Sequence, residues 1–568
     1  MGGHVEIERK IEPGPDFTLP DLTAVDGVAA VGEPVEQHLS ATYFDTADLR
    51  LARARVTLRR RTGGTDAGWH LKLPTDGIAR EERHHPLGPR RAVPPKAVLQ
   101  PVLGIVRTAP VTAVATLDTT RVVTTLLAED GRVLAEVADD TVTGTAAAAG
   151  PDEPATVTHW RELEVELVDG DEVLLDAVVG ALVAAGGLPS DSPSKLARVL
   201  ADRLPAPERD RSVPGGPAGT GEERSAATRG GKSGKSGKSG KAGKSAKTGE
   251  SGKAGKSGKA GKSGTSSTEE GWTAAQVVLD ALRAQVAALY AADLLVRTGG
   301  ADGIHDLRVA CRRLRSILAA FRPVLERTGT DPLREELRWV GSALSATRDG
   351  EVALAHLREL VAAQPVEQVR GPVVARLQTA AVQDADAGRK KALRTLEDRR
   401  YLAVLDALDA LLTAPPLTGQ AQEPAGPVLA RAIRRTGRRL GERIATARTA
   451  GEETPHEDSP LHDVRKAAKR VRYTAEVALP VLGGSAEELV RVMKGVQEVL
   501  GAAQDTVATR DQCLRLGRAA GAAGESTWTW GRLYALEEAR AAACAADFWR
   551  LEPQLRAVVD AAAGRRAR

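Results

Sequence analysis

The chain has 568 residues, 42% of them hydrophobic and 27% charged, with a formal net charge of +4. That length allows two or more domains, each with its own core, and the composition excludes a fibrous or wholly disordered protein. The three cysteines, Cys311, Cys513 and Cys544, lie far apart and form no CxxC pair, which excludes a disulfide framework and a zinc knuckle and fits a reducing cytoplasm.

The N-terminus meets charged residues by position 10 without the apolar stretch of a secretory signal. MGGHVE also lacks the Ser or Thr that a myristoylation signal carries at position 6. The most apolar run, LLDAVVGALVAAGG, is short and contains Asp176, so no segment is expected to span a bilayer and the protein is expected to be soluble.

The first element is HVEIERK at positions 4–10. Read as a strand, it places Glu6, Glu8 and Lys10 on one side, because side chains alternate faces with period two. Further β-like segments follow between turn signals: ATYFDT, ARVTLRRRTGG, GWHLKLP, TLDTTRVVTTLL, DGRVLAEVADDTV and THWRELEVELVDG. Many short strands with few helical patterns predict an antiparallel sheet or barrel.

The charges recur on one face of strand after strand. Arg59 and Arg61 share a face, as do His70 and Lys72 opposite Leu71 and Leu73, and Glu162, Glu164 and Glu166 opposite Leu163, Val165 and Leu167. Turned inward, such faces would line a polar tunnel. Its bases would grip a chain of phosphates, and its carboxylates would hold a Mg²⁺ that bridges phosphate oxygens. Arg60, His84 and His85 read as surface residues, and His70 as the partner of a neighbour rather than a metal ligand.

Residues 206–268 are rich in Gly, Ser and Lys, with lysine at every third position from Lys232 to Lys262 broken once at Glu250. Such a segment cannot form a core and reads as a flexible linker, either a plain tether or one whose lysines help to hold a polyanion. As a tether it would raise the local concentration of one half of the chain around the other.

From Trp272 the pattern becomes helical, with Ala, Leu and Arg at amphipathic spacing. IHDLRVACRRLRSILAAF from Ile304 returns 157 positions later as LHDVRKAAKRVRYTAEVA. On a wheel of about 100° per residue, His305, Arg308, Arg312 and Arg315 share one arc, with Leu307, Ala310, Leu314, Ile317, Leu318 and Phe321 opposite. In the second copy His462, Arg465, Lys469 and Arg472 face Val464, Ala467, Val471 and Ala478. ALSATRDGEVA around Asp349 parallels VLGAAQDTVA around Asp505. A duplicated helical unit is expected, with two basic stripes that form a polyanion groove. Aromatics are only 3% of the chain and Tyr473 alone accompanies the stripes, so single-stranded nucleic acid, which recruits base stacking, is not the expected partner.

The ordered set ExExK (Glu6, Glu8, Lys10), LRRR, HLKL, TTR, AEVADD, ELEVEL and SPSK resembles the CYTH family, the triphosphate tunnel metalloenzymes. The HDxR…RRLR and HDxR…KRxRY pair resembles the CHAD family, the conserved histidine α-helical domain. The resemblance implies a multidomain α+β chain: an eight-stranded antiparallel tunnel barrel over 1–205, a linker over 206–268, and all-α duplicated four-helix bundles over 269–568. It implies that Lys10, Arg59, Arg61, Lys72, Arg121 and Lys195 bind phosphates, and that Glu6, Glu8, Glu162, Glu164 and Glu166 hold Mg²⁺ or Mn²⁺. Lys10, Glu136 and Asp140 would act at the reacting end, with Glu82 a further acidic candidate.

In the helical half the resemblance implies polyphosphate binding by His305, Arg308, Arg312, Arg313, Arg315, His462, Arg465, Lys466, Lys469, Arg470 and Arg472. The expected protein is a metal-dependent triphosphatase acting on inorganic triphosphate or polyphosphate. It would work in the cytoplasm, free or beside polyphosphate granules, with no nucleic acid or membrane partner. Two alternatives stand beside it: a non-catalytic polyphosphate-binding scaffold and an adenylyl cyclase. RRTGRRLGER around Arg438 and RKKALRTLEDRR around Lys390 would either extend the cationic surface or be solvated faces.

Overall fold

In the computed structural model the described residues are 3–64, 66–74, 80–88, 93–148, 154–190, 192, 194–204, 271–451 and 459–564. The Lys232–Lys262 repeat lies outside them, as does the side chain of Asp349.

The N-terminal half is an antiparallel sheet of strands β1 (Gly3–Glu6), β2 (Glu8–Pro13), β3 (Ala30–Val31), β4 (Val35–Asp45), β5 (Thr57–Thr62), β6 (Gly68–Pro74), β7 (Arg80–Pro86), β8 (Thr112–Leu127), β9 (Val133–Ala146), β10 (Thr156–Leu167) and β11 (Gly187–Pro189). The order is β1-β7-β6-β5-β4-β8-β9-β10-β2-β11, with β3 beside β8. The N-terminal ribbon closes this sheet. β1 pairs with β7, so that Glu6 lies opposite Arg80, while β2 pairs with β10, so that Glu8 lies opposite Glu166. Pairing changes sides at Ile7, whose carbonyl accepts from the Leu167 amide at 3.1 Å. One ribbon therefore stitches the two ends of the sheet into a barrel, and the remaining long strands β4 to β10 complete it.

This barrel is inverted relative to a soluble sandwich, because its apolar faces point outward. Trp69, Leu71 and Leu73 of β6 pack with Val98, Val102 and Val106 from the stretch that carries the short helices α2 (Lys96–Leu99) and α3 (Leu103–Val106). These follow the single turn α1 (Arg50–Arg53). Leu163, Val165 and Leu167 of β10 pack under α4 (Glu172–Ala184) through Leu174, Leu175, Val178 and Leu182. Period-two alternation then leaves the even-numbered residues of β6 and β10 facing inward. A short helix, α5 (Lys195–Val199), follows, capped by Ser194 on the Ala197 amide at 3.1 Å.

Leu163 is fully buried whereas Val157 on the same strand is 54% exposed. Leu163→Ala is expected to cost about 2–5 kcal/mol, and Val157→Ala no more than about 0.5 kcal/mol. The urea midpoints of the two variants check this; equal midpoints would contradict the outward-facing core.

The C-terminal half is helical throughout: α6 (Ala274–Thr298), α7 (Gly303–Ala320), α8 (Arg327–Ala343), α9 (Ser345–Ala362), α10 (Val373–Glu397), α11 (Arg399–Thr413), α12 (Ala425–Ala450), α13 (Pro460–Leu482), α14 (Gly484–Ala522), α15 (Trp528–Leu551) and α16 (Leu555–Ala562). α7 and α13 carry the two copies of the repeated motif. Their apolar arcs enter one large core, which includes Leu307, Leu314, Phe321, Val464 and Val471. A second, smaller core joins α9, α10, α14 and α15 through Leu354, Leu377, Leu516 and Trp530. The 25-residue α10 and 39-residue α14 are long enough to serve both. Among the described residues, no helix is long and apolar enough to cross a membrane.

The barrel and the helical half form one compact unit. Arg107, at the C-terminal end of α3, reaches Asp406 at 2.7 Å and Asp409 at 2.6 Å on α11, and the hydroxyl of Tyr290 on α6 at 3.0 Å. Arg83 donates to the Thr298 carbonyl at 2.9 Å, and Gln100 to Glu397 at 2.6 Å. At Gly104 a Cβ would lie 2.0 Å from the Asp293 carboxylate, so only glycine permits this approach. Direct contacts hold the two halves together.

Candidate functional site

The barrel encloses a polar cavity of about 330 Å³. Its lining includes the bases Lys10, Arg59, Arg61, Lys72, Arg80, Arg121 and Lys195 and the acids Glu6, Glu8, Asp66, Glu82, Glu136, Glu164 and Glu166. Tyr43 is the one aromatic side chain among the described lining residues.

Strand register fixes who meets whom. Lys10 stands opposite Glu164, Lys72 opposite Glu82, and Arg121 opposite Asp140, which is itself opposite Glu162. On one wall Lys72 bonds Glu6 and approaches Glu82 at 3.6 Å. His70 Nδ1 meets Glu82 at 2.6 Å, and Arg59 lies 3.7 Å from it. On the other wall Arg121 forks onto Asp140 through Nε at 2.7 Å and Nη2 at 2.6 Å, and also meets Glu164 at 2.5 Å. The ammonium of Lys195 lies 2.9 Å from Asp140, 2.6 Å from Glu162 and 2.6 Å from Glu164.

Asp140 and Glu162 are 0% and 2% exposed and stand behind the lining, where they position Arg121 and Lys195. Ligand oxygens of Asp140, Glu162 and Glu164 come within 4.8 Å of one another. A three-carboxylate cluster around a single positive centre is a donor set of hard oxygens that suits Mg²⁺ or Mn²⁺, and here the lysine ammonium fills that role. A second acidic row crosses the wall, because Glu166 faces both Glu8 on β2 and Glu136 on β9.

The protonation pattern follows from this crowding. Burial pushes Glu6 up to about 8, helped by its hydrogen bond to Glu82. Burial also pushes Glu82 up, but the hydrogen bonds from His70 and Glu6 and the charges of Lys72 and Arg59 outweigh it and hold Glu82 below its ordinary value. Glu6 thus keeps the proton of this pair. Glu166 is raised by burial and by Glu8 and Glu164, as expected of an acid row short of positive charge. Glu164 is buried but held well below the usual range by Lys10, Lys195 and Arg121.

In the helical half the stripes of α7 and α13 meet. Burial, then Arg465, Arg312 and Arg472, pushes Lys469 down to about 6. Arg465 packs over Gly501 of α14 at 3.3 Å from the position of a Cβ there. His462 is lowered by burial and by Lys466 and Arg465, and the exposed Lys466 pairs with Asp463 at 3.5 Å. Tyr473 is buried and accepts from Arg312 Nε at 3.0 Å, with Arg313 and Arg472 over its ring at 5.5 and 5.1 Å. It is a scaffold beneath the cations and offers no open face for stacking a base. His305, Arg308 and Arg315 lie on α7, and Arg470 lies on the flank of α13. Around Lys390, an ion pair with Asp386 at 2.7 Å marks a solvated face.

A CYTH-domain model matches residues 4–200 and a CHAD-domain model matches residues 280–514. The chain is a CYTH–CHAD protein. Two uncharacterized proteins of Mycobacterium tuberculosis, from strains CDC 1551 / Oshkosh and ATCC 25618 / H37Rv, are each 34% identical over 553 residues, covering 95% of this chain and 94% of theirs. Among solved structures, the CHAD domain from the plant Ricinus communis aligns at 24% identity over 50% of this chain and 91% of its own, with a TM-score of 0.39. PptA from Streptomyces chartreusis aligns at 19% identity over 49% and 99%, with a TM-score of 0.38. The CYTH domain places the chain in the triphosphate tunnel family of metal-dependent triphosphatases and cyclases.

Of the residues singled out in the CYTH domain, Glu6, Glu8, Lys10, Arg59, Arg61, Lys72, Arg121, Glu136, Glu164, Glu166 and Lys195 converge on the cavity, and Asp140 and Glu162 lie one layer behind it. Glu82 is more central than its sequence setting in REER suggests. Its signal is register, since β7 is the neighbour of the Lys72 strand. Asp66 and Arg80 also line the cavity without having been singled out.

Proposed function

We propose that the CYTH tunnel hydrolyses phosphoanhydride bonds of inorganic triphosphate or polyphosphate with Mg²⁺ or Mn²⁺, while the CHAD domain binds inorganic polyphosphate. The observation that carries this reading is the enclosed cavity, each of whose two walls carries cations paired with carboxylates. A triphosphate with a divalent cation would exchange partners with them, the phosphates taking the bases and the metal taking the acids, so that neutrality is kept. The small share of aromatic lining favours an inorganic chain over a nucleotide, and so argues against the cyclase reading.

Glu6 and Glu8 on the N-terminal ribbon, with Glu164 and Glu166 on β10, are the residues that would hold the metal. When bound, it would neutralise charge on the phosphoryl oxygens and lower the pKa of a bound water. Arg59, Arg61, Lys72, Arg121 and Lys195 would bind and align the phosphates, and Lys10 would stabilise charge at the reacting end. Glu136, beside Glu166 and unencumbered by Arg121, would orient the attacking water. A non-catalytic scaffold is the second reading, favoured by the existing pairing of the cavity cations with wall carboxylates.

Phosphate release by the full chain from tripolyphosphate, long-chain polyphosphate and ATP, with Mg²⁺, Mn²⁺ or chelator, tests the proposal. Metal-dependent release from the inorganic substrates is expected. Binding of polyphosphate without any release would establish the scaffold.

A pH dependence follows from Lys469. Its folded pKa lies below the unfolded one, so the stability it contributes above about pH 10.5 falls progressively as pH drops toward about 6 and changes no further below that. A bound polyanion would favour the ammonium, so the affinity for polyphosphate should rise from pH 8 to pH 6. Lys469→Arg, charged throughout, should flatten the profile, as titration calorimetry at the two pH values would show.

A further inference from the structure

Six arginines, five from four helices and one from the α7–α8 connection, gather around the C-terminal end of α7. Arg334 of α8 donates to the Arg315 carbonyl at 3.5 Å, and Arg435 of α12 donates to the carbonyl of Ala320, the last residue of α7. Arg322, just past that end, and Arg334 share one carboxylate oxygen of Asp331 at 2.7 Å each. Arg470 of α13 feels Arg439, Arg334, Arg315 and Arg322 as like charges, and Arg435 feels Arg439 and Arg322.

Among the described residues, the one carboxylate ion-paired within this group is Asp331, which meets Arg322 and Arg334 and is also shared with Arg327 at 3.4 Å. Glu335 pairs with Arg338 at 2.6 Å and also lends Arg315 part of its negative charge. The negative end of the α7 dipole offsets only about half a charge. Most of the positive charge therefore lacks a counter-charge, and Arg322 Nε is buried without a hydrogen-bond partner. An array held like this at a helix seam is costly unless an anion completes it.

We propose that Arg315, Arg322, Arg334, Arg435, Arg439 and Arg470 form a second seat for a phosphate chain. It would continue the stripe of Arg312, Arg465 and Lys469 across the flank of α13 onto α8 and α12. This rests on the reading that the helical half binds polyphosphate. The seat lets the protein distinguish a long chain, which spans both groups, from a short one, which fills only the first. Phosphates, and not bases, are the matching ligand, because the six side chains offer charge and forked donors with no exposed ring among them.

The test is equilibrium binding of long-chain inorganic polyphosphate and of tripolyphosphate to the full chain across a salt series. R322Q/R334Q/R435Q/R439Q should weaken long-chain binding by roughly tenfold or more. It should also lower the slope of log K against log salt by roughly 2–3, at about 0.7 per lost contact. R439E, which reverses one exposed charge, should shift the same two quantities in the same direction without threatening the fold. Long-chain affinity and slope unchanged in both variants, while R312Q/R465Q/K469Q lowers them, would overturn the second seat and leave the first intact. If wild type binds no polyphosphate, the reading of the helical half fails and this inference with it. Selective loss of single-stranded DNA binding in R439E would overturn the ligand class.

Discussion

Arg121→Met is expected to destabilise the protein by about 3–5 kcal/mol, the usual cost of stripping one partner from a buried ion pair. Asp140 is fully buried, and Arg121 grips both of its oxygens while also reaching Glu164. Lys195 would remain on Asp140 at 2.9 Å, which places the loss toward the lower end of that range. Asp140→Asn introduced into the Arg121→Met background should recover part of the loss, because the stranded charge goes with its partner. Urea midpoints of the four members of this cycle measure the coupling. A single-variant loss below about 1 kcal/mol would mean that the pair is far more solvated than its burial implies.

Glu6→Gln/Glu8→Gln should lower metal-dependent release of phosphate from tripolyphosphate by at least about 10²-fold, on the scale of losing a principal electrostatic contact to the reacting group. Both acids line the cavity from the closing ribbon, and Glu8 sits in the acid row with Glu166 and Glu136. Mn²⁺ binding followed by electron paramagnetic resonance without substrate should weaken in parallel. Glu81→Gln alters the opposite face of β7, where Glu81 pairs with Arg83 at 2.7 Å, and should leave both readouts unchanged. Full activity in the double variant would remove the ribbon from the proposed metal site.

Much of this architecture was legible because two periodicities are clean. In β6 and β10, Trp69, Leu71, Leu73 and Leu163, Val165, Leu167 alternate strictly with charges, and the structure turns the apolar sets to the covering helices. In α7 and at its C-cap, Leu307, Ala310, Leu314, Ile317, Leu318 and Phe321 recur at helical spacing, and all are buried. What stayed hidden depends on partners far away in sequence. Glu82 reads as one more charge in REER until register sets it across from Lys72. The depth of Asp140 depends on α5 delivering Lys195 from beyond β10. Arg107 carries no local motif, and its role exists only because α6 and α11 present Tyr290, Asp406 and Asp409 to it. Arg322 and Arg334 lie outside the repeated motif, and the helix packing alone brings them to its end.

The closing ribbon also imposes an order of events on folding. Residues 3–6 pair with 80–83, and residues 8–11 pair with 163–166. The intervening strands can form from neighbouring segments, since β5, β6 and β7 pair in succession, as do β8, β9 and β10. Contacts so distant in sequence are slow to form. During synthesis the β1 half of the ribbon can pair once β7 has emerged, but the β2 half must wait, with Ile11 uncovered, until β10 has emerged. Until then the half-built sheet shows raw edges, which are open to mispairing with other copies of the chain.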